Sequence, residues 1–185
     1  MAATESKMMA LGTQAPYFQL FDTISSDLIT LHQVEGEKGT VVMFICNHCP
    51  YVQHVMKTVV DIAYEYKSKG IGFVAISSND VENYPLDHPD IMKVVGLMCK
   101  FPFPYLYDET QSVAKSYDAA CTPDFFVFNG ESELAYRGRL DGSRPNNDVL
   151  CDGNELKHAL DALIEGIPVD THQLPGIGCN IKWKK

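Results

Sequence analysis

Two apolar runs, Thr40–Cys46 and Ile71–Ser77, flank a segment with helical spacing. Each run is too short for a helix and too uniformly apolar for a half-exposed strand, so both read as fully buried strands. Between them, Val52, Val55, Met56, Val59, Ile62, Ala63 and Tyr66 recur every three or four residues and define one apolar helix face. Pro50 suits the first helical position, Lys67 and Lys69 favour the C-terminal end, and Gly70 ends the helix. A strand, a helix and a second strand, both strands buried, imply parallel pairing through a helical crossover.

The rest of the chain fits around that unit. Phe18–Asp22 and Asp27–Leu31 read as a hairpin about the polar turn Thr23–Ser26. Asp90 can cap a helix running to about Lys100, which Pro102 and Pro104 break. Tyr105–Tyr107 is extended, and Thr110–Tyr117 is a short helix. Asp124–Phe128 and Glu133–Arg137 flank Asn129-Gly130, a strong hairpin turn. A helix from Asn154 to Glu165 is stopped by Gly166 and Pro168. The fold class is therefore α/β, a mixed central sheet with helices on both faces. The expected organisation is a flexible arm over 1–14, one domain over 15–168 and a tail over 169–185. Ile177, Ile181 and Trp183 in that tail want burial, against the body or against a second subunit of a homodimer.

The formal net charge of -9 disfavours nucleic acid as a partner. No stretch approaches the ~20 apolar residues of a membrane span, and "MAATESKMMALGTQAP" lacks the apolar core of a secretory signal. Six cysteines without framework-like spacing suggest a cytoplasmic protein with reduced thiols. There, a C-x-x-C is more often catalytic or metal-binding than structural.

The stretch "CNHCPYV" over 46–52 joins the first buried strand to the helix. Cys49 falls at the helix N-cap, where unpaired backbone N–H groups and the helix dipole favour an anion. A cysteine there is expected to ionise early and act as a nucleophile. His48, if protonated, would favour the thiolate further; otherwise it is an exposed loop residue. Three extended steps would separate the Cys46 and Cys49 Cα atoms by up to ~10 Å. A disulfide needs them within ~7 Å, so Asn47-His48 must turn tightly if the two thiols pair. Zinc held by Cys46, His48, Cys49 and Cys121 is an alternative, with no second C-x-x-C to complete a typical site.

These stretches resemble the thioredoxin-fold redoxins, in particular the peroxiredoxin-like alkyl hydroperoxide reductase C/thiol-specific antioxidant (AhpC/TSA) family. The resemblance covers about residues 15–165 and rests on "TVVMFICNHCPYV", "CTPDFFVF", "DFFVFNGESELAYRG" and "DGSRP". It implies a thioredoxin-like three-layer sandwich with an N-terminal β-hairpin extension. It also implies that Thr122-Pro123 is a cis-proline loop packed against Cys49, bringing Cys121 near as a second resolving thiol. Arg144 falls about where peroxiredoxins place an active-site arginine. The chain departs from both parents. Val52 stands where thioredoxins have their second cysteine, and Cys46 where peroxiredoxins have a threonine.

The expected function is thiol–disulfide exchange with Cys49 as nucleophile and no cofactor. A thiol or disulfide protein, or a small thiol, would supply electrons. One alternative is hydroperoxide reduction through a Cys49 sulfenic acid. Another is a redox-inert or metal-holding binding module on the same fold. Cys46 is the expected disulfide partner of Cys49, with Cys121 the competitor; Cys151 and Cys179 carry no assigned role.

Overall fold

The computed structural model describes residues 3–185. Its centre is β4 (Gly39–Phe44), buried along its whole length because it has a strand on each side and helices above and below. It runs parallel to β5 (Ile71–Ser77) and antiparallel to β8 (Asp124–Asn129). The β4–β5 crossover is α2 (Pro50–Lys67), as its heptad-like apolar spacing requires. Beyond β5 lies β6 (Tyr105–Tyr107), then the antiparallel hairpin of β2 (Gln19–Asp22) and β3 (Leu28–Thr30). Beyond β8 lies its hairpin partner β9 (Leu134–Gly138). The seven-stranded order is β3-β2-β6-β5-β4-β8-β9.

Strand alternation divides the core in two. Val41, Met43 and Phe125 face α2, α3 (Pro89–Met98) and α5 (Asn154–Glu165) through Val59, Met92 and Leu160. Val42, Phe44 and Phe126 face the other way, onto α1 (Leu31–Val34) and α4 (Ser112–Ser116), through Leu31, Val34, Val113 and Ala114. This is the expected mixed sheet covered on both faces. No helix among the described residues is long and apolar enough to cross a membrane.

The arm, expected to be flexible, is instead ordered, and the tail docks on the body, one of the two places its apolar residues allowed. The arm contains β1 (Ala3–Glu5), and the tail contains β10 (Ile177–Asn180). These pair antiparallel, and β10 also pairs with the short strand β7 (Cys121–Thr122), giving a second sheet of order β1-β10-β7. Ser6 and Gly176 exchange hydrogen bonds, and Gln14 bridges to Glu133. Arm and tail are thus strapped to the body, and Ile181 enters the core. The sequence pattern misses these strands because two to four residues carry no measurable period.

Candidate active site

Strand β4 ends at Phe44, and the chain turns through Ile45–His48 into α2. Cys49 is the N-cap of α2, with extended backbone (φ −76°, ψ 120°), and Pro50 opens the first turn. The turn is pinned from outside. Asp87, fully buried, accepts hydrogen bonds from the backbone N–H of Asn47 (2.8 Å) and His48 (3.3 Å), from Asn79 Nδ2 (2.8 Å) and from His48 Nδ1 (2.6 Å). Asn47 in turn donates to the Leu86 carbonyl and accepts from the Tyr105 hydroxyl. The His48 ring stacks on Tyr84. His48 is therefore a buttress of the turn rather than an exposed loop residue.

Opposite the turn lies the Thr122–Pro123 peptide bond, which is cis. Cys49 Sγ is 3.1 Å from the Thr122 carbonyl oxygen, and Cys46 Sγ is 3.4 Å from the Thr122 hydroxyl. The third wall is β10, which sets Cys179 Sγ 2.9 Å from Cys49 Sγ. Both sulfurs are almost wholly buried.

This cluster settles its protons unequally. The Cys49 thiol is held at about 5, far below an ordinary thiol. A hydrogen bond from Cys46 contributes most and outweighs burial; Cys179, the Val52 backbone N–H and Thr122 add to it. Cys46 is driven far up by its hydrogen bond to Cys49, then by burial and by the Asp87 charge. Cys179 is pushed up to about 12, first by burial and then by its hydrogen bond to Cys49. The arrangement is one thiolate receiving two S–H donors beside a helix N-terminus, the environment that makes a cysteine reactive.

A family model described as the AhpC/TSA family matches residues 11–137. The chain belongs to the AhpC/TSA family. It is 27% identical over 144 residues to the thiol-disulfide oxidoreductase ResA of Oceanobacillus iheyensis, a match covering 74% of this chain and 69% of that one. A crystal structure of an uncharacterized conserved protein from Geobacillus kaustophilus has 54% sequence identity and a TM-score of 0.98, covering 100% of this chain and 97% of that one. The thioredoxin domain of a thiol-disulfide oxidoreductase from Bacteroides vulgatus has 16% identity and a TM-score of 0.62, covering 81% and 97%. The fold is thus that of thioredoxin.

Within this AhpC/TSA scaffold the expected site residues are only partly brought together. Cys46, Cys49, Thr122 and Pro123 converge. Cys121 borders them on β7: its Sγ lies 3.7 Å from the Pro123 carbonyl oxygen, and its thiol is pushed up by burial, with the Asp124, Cys49 and Cys179 charges adding to the effect. Arg144 lines a neighbouring groove with Tyr51, His54, Pro123 and Ile177, and has no hydrogen bond to Cys49 Sγ. The thiol beside Cys49 that the sequence left without a role is Cys179. The apolar residues around it signalled burial of the tail but not where it docks.

The ligand set of the zinc alternative is also rearranged. Cys46, His48 and Asp87 offer ligand atoms within 4.8 Å of one another, while Cys49 and Cys121 lie outside that group. Both Asp87 oxygens already accept N–H donors, so a cation there would have to displace them. As a test of the thiol network, Cys46→Ala is expected to raise the ionisation midpoint of Cys49 above its value of about 5. Cys46→Ser, which keeps a donor, is expected to raise it less. An unchanged midpoint in both would show that Cys46 does not hold the thiolate.

Proposed function

We propose that the chain is a thiol–disulfide oxidoreductase whose nucleophile is Cys49. The observation that carries this is the Cys49 thiolate at the α2 N-cap, in contact with a second thiol. The thiolate attacks one sulfur of a substrate disulfide, forms a mixed disulfide and expels the other sulfur as a thiolate. A second cysteine of the chain then attacks Cys49 and releases the remaining substrate thiol. The chain leaves with one internal disulfide, and two electrons have passed to the substrate. A dithiol protein or small thiol restores the reduced state. The resemblance to ResA by name supports this reading, and the demand for reduced thiols between turnovers fits the cytoplasm.

Hydroperoxide reduction is a second reading, favoured by the Thr122 hydroxyl beside Cys46 and Cys49, a residue type peroxiredoxins keep near their reactive sulfur. There the thiolate would take one peroxide oxygen, release an alcohol and become a sulfenic acid, which a second thiol would convert to a disulfide and water.

One experiment addresses both readings. The reduced chain is mixed with one equivalent of a small aromatic disulfide or of hydrogen peroxide, and its remaining thiols are counted by mass after alkylation. The disulfide is expected to remove two thiols per chain within seconds, faster than the peroxide does. Cys49→Ser is expected to lose none to either. A peroxide reaction outpacing the disulfide would favour the second reading. Unaltered loss in Cys49→Ser would remove Cys49 as nucleophile.

A further inference from the structure

The strand that hides the nucleophile is paired as a substrate would be. Strand β7 presents its edge directly beside Cys49, and among the described residues its only strand partner is β10. The register sets Cys179 opposite Thr122 and Asn180 opposite Cys121. An extended segment of this very chain thus lies antiparallel along β7, with its cysteine sulfur held against the attacking sulfur. An edge strand whose backbone groups are satisfied by one extended segment can be satisfied by another, because main-chain pairing is independent of the partner's sequence.

The close approach has a specific requirement. A Cβ at Gly178 would stand 2.0 Å from the Thr122 carbonyl oxygen and 2.6 Å from its carbon, both backbone atoms. Only glycine lets β10 lie this near β7. At the same time Cys49 is wholly covered, so no disulfide reaches it while β10 is seated. The contact along β7 spans two residue pairs, so parting β10 from β7 breaks a few hydrogen bonds of about 1 kcal/mol each and uncovers Cys179, while β10 stays paired with β1 and Ile181 stays in the core. Flanking anchors keep the segment tethered: Ser6 with Gly176 on one side, Asn79 with Lys182 on the other.

We propose that β10 is a built-in occupant of the β7 edge, that an extended peptide carrying a disulfide takes its place there, and that Cys179 returns to resolve the adduct on Cys49. The proposal rests on Cys49 being the nucleophile. With β10 lifted, the Cys49 thiolate attacks the peptide's disulfide; a Cys49–peptide disulfide forms and the peptide's second sulfur leaves as a thiolate. Cys179 then loses a proton to water and attacks Cys49 Sγ. The Cys49–Cys179 bond forms, the mixed disulfide breaks, and the peptide departs as a dithiol. The two sulfurs need to approach by only about 1 Å to reach bonding distance from their contact of 2.9 Å.

The same step reseats β10 and evicts the peptide, so resolution and product release are one event. Resolution by Cys46 would leave the peptide on the edge. Adduct formation also removes the Cys49 charge and hydrogen bond that hold the Cys179 proton, leaving burial opposed by Lys182. Cys179 is thereby easier to ionise after the first step than before it.

The test uses the full chain, a peptide closed by its own disulfide, and the variants Cys179→Ser and Gly178→Ala. In the unaltered chain, one equivalent of peptide is expected to give a Cys49–Cys179 bond on non-reducing peptide mapping. In Cys179→Ser, the Cys49–peptide adduct is expected to accumulate as a mass increase. Gly178→Ala, checked for an unaltered circular dichroism spectrum, is expected to raise alkylation of Cys49 by iodoacetamide at least about tenfold by unseating β10. A Cys46–Cys49 bond in the unaltered chain, peptide reduction by Cys179→Ser at the unaltered rate, or an unchanged alkylation rate in folded Gly178→Ala would each overturn the proposal. Absence of any adduct on Cys49 in Cys179→Ser would instead strike at Cys49 as nucleophile, and both readings would fall together.

Discussion

Titrated downward from about pH 7, the reduced chain is expected to lose one thiolate's ultraviolet absorbance with a midpoint near 5, and the Cys49→Ser chain to lose none. An ordinary cysteine, near 8.5, contributes only a few per cent of thiolate at the start of that range. The direct absorbance does not depend on reagent access, which matters because β10 covers the sulfur. The same shift has a consequence for stability. Cys49 is depressed in the folded chain, so its contribution is fully present above the unfolded value of about 8.5 and is lost as pH falls through about 5. Between those limits the unfolded chain binds the extra proton, and the urea midpoint is expected to rise with pH. The gain is on the order of a few kcal/mol and is absent in Cys49→Ser. Cys46, Cys121 and Cys179 are shifted the other way, chiefly by the Cys49 hydrogen bond in the first and by burial in the other two. They oppose folding as pH rises above about 8.5, so the thiols together favour a maximum near that value. A midpoint for Cys49 at or above about 8 would contradict the site geometry.

Asp87→Ala is expected to be the most damaging substitution outside the thiols. Asp87 lies at the end of a single turn, Pro85–Asp87, is wholly buried, and accepts four N–H groups. Removing it strands the Asn47 and His48 backbone donors, His48 Nδ1 and Asn79 Nδ2. Each buried donor left unpaired costs about 1–3 kcal/mol, and partial entry of water limits the total to roughly 3–5 kcal/mol. The urea midpoint should fall accordingly with an unchanged slope. Asp87→Asn keeps an oxygen for the two backbone donors but turns an amide toward His48 and Asn79, and should recover about half of the loss. A loss under about 1 kcal/mol for Asp87→Ala would show that the turn holds without this carboxylate. Because Asn79 also accepts from the Lys182 backbone, the same substitution should loosen the tail beyond β10. Faster alkylation of the buried Cys49 and Cys179 by iodoacetamide in the folded chain would report that loosening.

Local features of the sequence were enough for the strand–helix–strand unit and for Cys49 as its N-cap. Burial of β4 and the period of α2 are read from neighbouring residues, and a cap follows from where the helix begins. The β8–β9 hairpin is equally local, with Asn129-Gly130 at its turn. The Cys46–Cys49 spacing likewise drew attention to the pair. What spacing could not convey is that a third thiol, 130 positions away, fills the space between the helix cap and the cis-proline loop.

Asp87 carries no sequence signal for the same reason. A lone acidic residue in a Pro-bearing loop has no pattern until the loop folds over the turn at 46–49 and finds its unpaired N–H groups. Cys121, a candidate resolving thiol from its place beside the cis-proline loop, has no hydrogen bond to Cys49 among the described residues, whereas Thr122 and Cys179 contact the cysteine pair directly. Sequence placed Cys49 at the helix cap because capping acts over a few residues. Tertiary structure decided its partner because the β10–β7 edge pairs through backbone groups that every residue carries, so no side-chain signal marks it in advance.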